Sequence, residues 1–388
     1  MSTPNLLMIP GPIGLSSDVL RALSEPQRGH LDPVFMQSFA RALKRLREVF
    51  VAPGAQPFIV SGSGTLAMEM SVANLIQAGD QALVVNTGYF SDRIATMLEL
   101  HGAKVTHVKA EPGDVASLDE VERALSSTSF KLMTITHVDT STAVLAPVKE
   151  LAALAKKHGA LVVVDGVCSV GGEALEMDAW GVDVAFTASQ KALGAPPGLA
   201  VLLASPRALE TWKARTKPVA AMYLDFAQWL PIQQAYEAGT PSYFATPAVN
   251  LIMALEVSLG ELVAETMPVR VARHQTLARA ARAAWSALGL ASLTKRPEVT
   301  AHTLSALKYP AGVDASLVKH VAAQGVNIAG GLHPVLKATY FRVGHMGAAT
   351  GGTVLETVGA LERGLSAAGY RFDAGVGVAA AQRALVAR

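Results

Sequence analysis

VVVDGVCSVGGEALEMDAWGVDVAFTASQKALGAPPG, from Val162 to Gly198, is the stretch from which the rest of the chain can be read. Its first three residues are β-branched and unbroken by polar ones, which suits a strand buried on both faces. That run ends in a carboxylate, Asp165. Twenty-six positions later stands Lys191, in a Ser-Gln-Lys-Ala loop between the apolar runs Val184–Thr187 and Leu199–Ala204. Open α/β sheets gather their ligands outside the carboxyl ends of the strands. Asp165 therefore stands where a bound group would be met, and Lys191 where an amine could react with a carbonyl. A carboxylate and a lysine so arranged suggest pyridoxal phosphate, which needs an amine to hold it and an acid at its ring nitrogen.

Upstream of this stretch the rhythm is strand then helix. Strands are predicted at Gln81–Val85, Lys104–Val108, Leu132–Thr136 and Leu161–Val164, and helical patterns between them at Ser91–Leu100, Ser117–Leu125 and Val148–His158. Apolar strands alternating with amphipathic helices predict an α/β domain with a largely parallel sheet covered on both faces. Earlier still, Phe58-Ile59-Val60 runs into Ser61-Gly62-Ser63-Gly64-Thr65 and then an apolar helix, Leu66–Ile76. A small, glycine-rich turn at a helix start offers free N–H groups and a positive dipole end to a phosphate. By itself the motif is weak, since most such turns only cap helices.

Past Ser205 the pattern loosens through Trp212 and Trp229. A long helical run, Pro247–Arg282, then leads into a smaller α+β unit, with Pro268 breaking it into more than one piece. That unit has strands near Thr303–Tyr309 and Tyr340–Val343, helices near Ala315–Gln324 and Thr353–Ala368, and a Gly330-Gly331 turn. Pro10-Gly11-Pro12 cannot be helix interior, so the chain opens as an extended segment. The expected organisation is an N-terminal extended segment (1–15), a large cofactor-binding α/β domain (16–255) and a small C-terminal α+β domain (256–388).

Composition narrows the function classes. The chain has 388 residues, more than one core usually organises. It is 51% hydrophobic and 16% charged, which favours a large core over disorder. A net charge of +2, without charge blocks, gives no footprint for nucleic acid or for a polybasic membrane anchor. The single cysteine, Cys168, excludes an internal disulfide and a cysteine-built zinc site. With no signal-peptide pattern, no membrane span and no peroxisomal address, a cytoplasmic location is expected.

Several motifs together, in this order, resemble the class V, fold-type I pyridoxal-phosphate aminotransferases, and most closely the alanine–glyoxylate aminotransferases. They are PGPIGLS, SGSGT, NTGYFSDR, THVDTSTAVL, VDGVCSVGG, TASQKALGAPPGL, YEAGTPSYFATPAVNLI, IAGGLH and FRVGHMG, and they span nearly the whole chain. The resemblance implies a mainly parallel seven-stranded sheet with helices on both faces, a smaller C-terminal α+β domain, and pyridoxal 5'-phosphate as cofactor.

It also implies roles, residue by residue. Lys191 bonds the cofactor as an imine and then shuttles a proton, and Asp165 keeps the ring nitrogen protonated. Val167 and Phe90 pack on opposite faces of the ring. Ser63, Gly64, Thr65 and Gln190 bind the phosphate, with Tyr243 and Thr246 reaching in from the second subunit of a homodimer. Thr140 bonds the phenolic oxygen, Arg342 takes the substrate carboxylate, and the backbone at Gly11 forms a lip suited to small side chains. Taken singly, a hydroxyl here would more often be a cap, an apolar residue simply core, and an arginine a solvated charge.

Three residues invite over-reading. Cys168 could suggest a desulfurase, but it follows Asp165 in a segment expected to be buried and reads as a small core residue. His137 and His345 read as hydrogen-bonded structural histidines, and no metal is assigned. The reaction implied is a ping-pong exchange between L-alanine and glyoxylate, giving pyruvate and glycine. The rivals are serine–glyoxylate or serine–pyruvate exchange, pyridoxamine–pyruvate exchange, and a non-catalytic cofactor-binding protein. Lys191, Asp165 and Arg342 together argue against the last.

Overall fold

Parallel strands need a long crossover, usually a helix, whereas a short connection forces the chain to return antiparallel. Both cases occur in the main sheet of the computed structural model, which describes residues 4–387; residues 1–3 of the expected N-terminal segment lie outside it. Its strands are β1 (Gln56–Ser61), β2 (Gln81–Asn86), β3 (Lys104–Lys109), β4 (Leu132–Thr136), β5 (Leu161–Asp165), β6 (Val184–Ala188) and β7 (Leu199–Ala204). They pair in the order β1-β7-β6-β5-β4-β2-β3. All neighbours run parallel except β7, which is antiparallel to both β1 and β6. The helix-free connection between β6 and β7 is the loop that carries Lys191.

Alternation along β5 divides its side chains between two cores. Val162 and Val164 join Leu43, Leu46, Leu151 and Leu255 beneath the helices Pro33–Val49, Val148–Lys157 and Val249–Glu265. Leu161 and Val163 join Met68, Val72, Ile94 and Leu98 beneath Gly64–Leu75 and Tyr89–Leu100. A sheet buried on both faces explains why these strands read as continuous apolar runs. Period-two geometry sends Asp165 to the second face, toward the start of Gly64–Leu75.

A second, antiparallel sheet pairs Leu304–Lys308 and Ala329–Gly330 with Tyr340–Gly344. Helices Met267–Ala287, Gly351–Ala367 and Val376–Val386 cover it, burying Trp285, Leu361 and Phe341. The N-terminal segment joins this part of the molecule: Leu6–Leu7 pairs parallel with Val326–Asn327, and the Gly344 N–H donates to Met8 O at 2.7 Å. Pro10 and Gly11 are thereby carried to the Lys191 loop.

The helical run expected at Pro247–Arg282 is two helices, Val249–Glu265 and Met267–Ala287, divided at Thr266 with φ +66°. Pro268 lies in the first turn of the second helix, where its missing N–H leaves no bond unmade. Helix Phe226–Glu237 was not foreseen, because Pro231 interrupts the stripe of Phe226, Trp229, Ile232 and Tyr236. Among the described residues no helix is long and apolar enough to cross a membrane.

Candidate active site

Asp165 ends β5 with its side chain 3% exposed, and Oδ1 accepts the Val167 N–H at 2.9 Å. Burial pushes its carboxyl up to about 7, and neighbouring Asp139 adds to the rise, against the Val167 bond and the cations Lys191 and Arg93. An acid held in this range ionises once a cation is set against it.

The β6–β7 loop is fixed before its lysine does anything. Ser189 Oγ donates to Pro196 O at 2.5 Å, and Gly194 N donates to Lys191 O at 2.8 Å. Buried Arg270 donates to Ala192 O and Gly171 O at 2.8 and 2.7 Å. Lys191 Nζ donates to Pro10 O. A Cβ on Gly11 would lie 2.5 Å from Lys191 Cδ and 2.7 Å from Nζ, and Gly11 has φ +95°. The backbone conformation requires glycine there, and a side chain would displace the end of Lys191.

Asp165 and Lys191 share a cavity of about 190 Å³ with Ser63, Gly64, Thr65, Phe90, Val167 and Gln190. Eight sequence-assigned residues thus meet in one place, drawn from four separate segments. Among the described residues three larger hollows, about 490, 590 and 450 Å³, contain neither Asp165 nor Lys191. Chemistry, not size, marks the site.

The cavity's residues fit pyridoxal phosphate. Gly64 opens the helix Gly64–Leu75, and a Cβ there would lie 3.1 Å from Ala188 Cβ and 3.2 Å from Val167 Cγ2, so the helix start approaches the cavity floor closely. Gln190 Oε1 is buried without a hydrogen-bond partner among the described residues. Phe90 and Val167 supply apolar surface, and Asp165 an acid for a ring nitrogen.

Phe90 is held in place by a residue that sequence reasoning passed over. Asp139, fully buried, accepts from Phe90 N at 3.3 Å and from Ser141 N and Oγ at 2.9 and 2.6 Å, while Ser141 Oγ accepts from Tyr89 N at 3.0 Å. A carboxylate thus caps helix Tyr89–Leu100 from another strand. Asp139 lies in THVDTST, but only the fold reveals that its target is 49 residues earlier. Arg93 and Arg270 were also missed. Arg93 lines the cavity, one helical turn from Tyr89 and Phe90.

Arg342 and Thr140 meet beside the cavity rather than in it. Arg342 Nη1 donates to Thr140 Oγ1 at 3.0 Å and to Thr140 O at 3.3 Å, and Nε donates to Gly330 O at 2.9 Å. Cys168, by contrast, does line the cavity. Cys168 is buried as expected, yet it forms part of the site wall, where burial pushes its thiol pKa up. His345 Nε2 is bonded to Ser305 Oγ at 3.0 Å, while its buried Nδ1 has no partner among the described residues. His137 fits the structural reading only through its backbone: its N–H donates to Asp165 O at 3.0 Å, but its buried Nδ1 has no partner among the described residues.

Tyr243 and Thr246 are not brought to this cavity. Tyr243 is 61% exposed, and its hydroxyl lies 3.4 Å from that of Thr246. Within one chain they serve nothing at Lys191.

A seven-stranded α/β sheet with a lysine loop, an acid at a strand end and a helix-start cradle defines a fold-type I pyridoxal-phosphate enzyme. Residues 20–349 match the family model for class-V aminotransferases. The chain belongs to that family, and its cofactor is pyridoxal phosphate. It is 41% identical over 356 residues to alanine–glyoxylate aminotransferase 1 of Saccharomyces cerevisiae, covering 88% of this chain and 91% of that one. It is 33% identical to the L-aspartate–glyoxylate aminotransferase of Paracoccus denitrificans, covering 98% and 96%. The crystal structure of pyridoxamine–pyruvate aminotransferase from Mesorhizobium loti superposes with a TM-score of 0.92 at 26% identity, covering 99% and 97%.

Proposed function

We propose that this protein transfers the amino group of L-alanine to glyoxylate, forming pyruvate and glycine in two half-reactions at one site. The observation that carries the reading is the meeting of Lys191 and Asp165 in a single cavity, with Gly11, which has no side chain, packed against Lys191. A lip without bulk suits the methyl of alanine and the hydrogen of glyoxylate, and the 41% identity to the yeast alanine–glyoxylate enzyme supports the same pair.

Pyridoxal phosphate supplies a carbonyl that takes up the amino group and a ring that withdraws electrons from the substrate α-carbon. Lys191 holds the cofactor between turnovers and, once released by substrate, moves a proton to and from that α-carbon. Asp165 would hold a proton on the ring nitrogen, and a cation set there would bring its raised pKa back down toward ionisation. Phe90 and Val167 keep the ring flat and exclude water from its faces. Ser63, Gly64, Thr65 and Gln190 bind the phosphate. Arg342, two of whose nitrogens are already anchored to Gly330 and Thr140, offers its remaining edge to the substrate carboxylate.

The site is completed in a homodimer, where Tyr243 and Thr246 of the second subunit add hydroxyls to the phosphate. Their exposure on a single chain supports this. A cytoplasmic location goes with the reading, supported by the lone cysteine.

The test is an amino-donor screen against glyoxylate and pyruvate. Alanine with glyoxylate is expected to give the highest kcat/KM. Serine, aspartate or pyridoxamine exceeding alanine tenfold would overturn the donor assignment.

A further inference from the structure

A phosphate ester brings close to two negative charges into this cavity, and the four residues assigned to hold it, Ser63, Gly64, Thr65 and Gln190, are all neutral. A helix start offsets about half a charge. An anion enclosed without a counter-charge is costly. Of the residues lining the cavity only Lys191 and Arg93 are basic, and Lys191 is committed to the cofactor's carbonyl end.

Arg93 stands at the start of the cradle helix. Its Nη1 donates to Thr65 Oγ1 at 3.3 Å, the hydroxyl of the second residue of helix Gly64–Leu75. Its Nη2 donates to Tyr89 Oη at 3.0 Å. Its Cζ lies 4.8 Å from the ring centroid of Phe90 and 5.0 Å from that of Tyr89. Both hydrogen-bond partners are uncharged hydroxyls, so the guanidinium's charge is not neutralised by them. Two aromatic faces hold it still, which removes most of the entropy a free arginine would lose on binding an anion.

We propose that Arg93 is a further cofactor-binding residue, the counter-charge for the cofactor's phosphate, reaching it across the Thr65 hydroxyl. The proposal rests on reading Ser63–Thr65 as the phosphate cradle. Because Arg93 also lies against Phe90, it links the group that grips the phosphate to the group that covers the ring.

The experiment uses full-length protein stripped of cofactor, in wild-type, Arg93→Gln, Arg93→Lys and Ser63→Ala forms. Dissociation constants are measured for pyridoxal phosphate and for pyridoxal, which lacks the phosphate, and thermal shifts with inorganic phosphate at low and high KCl. Arg93→Gln is expected to weaken pyridoxal phosphate at least tenfold, to leave pyridoxal within twofold, and to abolish the salt-sensitive shift with inorganic phosphate. Arg93→Lys, which keeps charge and bulk should the glutamine variant fail to fold, is expected to lose a smaller part of the same discrimination.

Equal weakening of both ligands by Arg93→Gln would mean that Arg93 merely braces Phe90 and Tyr89, and the proposal would fall. So would it if Arg93→Lys, with the glutamine variant unfolded, left the discrimination at the wild-type value. If Ser63→Ala alone lost the phosphate preference, the cradle would stand and Arg93 would be excluded from it. If neither position affected that preference, the cradle reading itself would be wrong.

Discussion

Arg342 donates through Nη1 to the hydroxyl of Thr140 at 3.0 Å, so two residues assigned to different ligands share one hydrogen bond. With Nε fixed on Gly330 O, the guanidinium plane is set by the protein before any carboxylate arrives. A charge-assisted hydrogen bond contributes about 1.5–3 kcal/mol, roughly a factor of 10–100. Arg342→Lys keeps the charge but not the fork. It is expected to raise KM for both alanine and glyoxylate by about that factor, with a smaller rise for Thr140→Val. Steady-state kinetics with each substrate varied in turn check this, and unchanged KM values would remove Arg342 from carboxylate binding.

Gly11→Ala puts a methyl group into the space of the Lys191 side chain, at a backbone angle that L residues rarely adopt. The clash falls on the lysine's reactive end rather than on the core. The expected result is a fall of at least tenfold in kcat, with loss of the bound-cofactor absorbance. The strained backbone angle should also cost about 1–2 kcal/mol of stability, read as a modest fall in the urea midpoint. A variant with full activity and normal absorbance would show that Lys191 does not need the position it takes beside Pro10.

Asp165 implies a conflict between function and stability. Its carboxyl is pushed from the usual 3.8 up to about 7 by burial, reinforced by Asp139. The folded state therefore binds a proton more tightly than the unfolded chain does, and stability falls as pH rises between these values. The penalty is absent below about pH 4 and complete above about pH 7. Asp165→Asn, which resembles the protonated acid, is expected to make the cofactor-free protein more stable at pH 8. The gain is at most about 4 kcal/mol, three pH units at roughly 1.4 kcal/mol each. Urea unfolding at pH 4.5 and pH 8 checks it. A stability difference independent of pH would mean that Asp165 does not titrate in this way.

How much of this could be read in the chain depended on where each signal lay. β5 announced itself because a strand buried on both faces must be apolar throughout, and Asp165 stood out against it. Lys191 was legible for the same reason, as one charge between two apolar strands. Helix Phe226–Glu237 was not, because Pro231 masks its stripe. Asp139, Arg93 and Arg270 were also silent: each acts on a group brought near only by the fold, Arg270 on Gly171 O from 99 residues away. Cys168 shows the limit of burial arguments, since a buried residue can line a site as well as fill a core.

The shared site can be tested by complementation. Tyr243 and Thr246 lie outside the cavity of their own chain, Tyr243 largely exposed. If they complete the site of a second subunit, a Lys191→Ala chain should rescue a Tyr243→Ala/Thr246→Ala chain. In the mixed dimer one site carries every lesion. The other joins an intact Lys191 to intact hydroxyls from its neighbour. With equal chains exchanging freely, half the dimers are mixed and half of their sites are intact, giving about a quarter of wild-type activity. Each variant alone stays low: the first lacks its lysine, and the second binds phosphate weakly. The measurement is specific activity at subsaturating cofactor after the two variants are unfolded and refolded together, compared with refolding them apart. Activity equal to the average of the separate samples would mean that each chain builds its site alone.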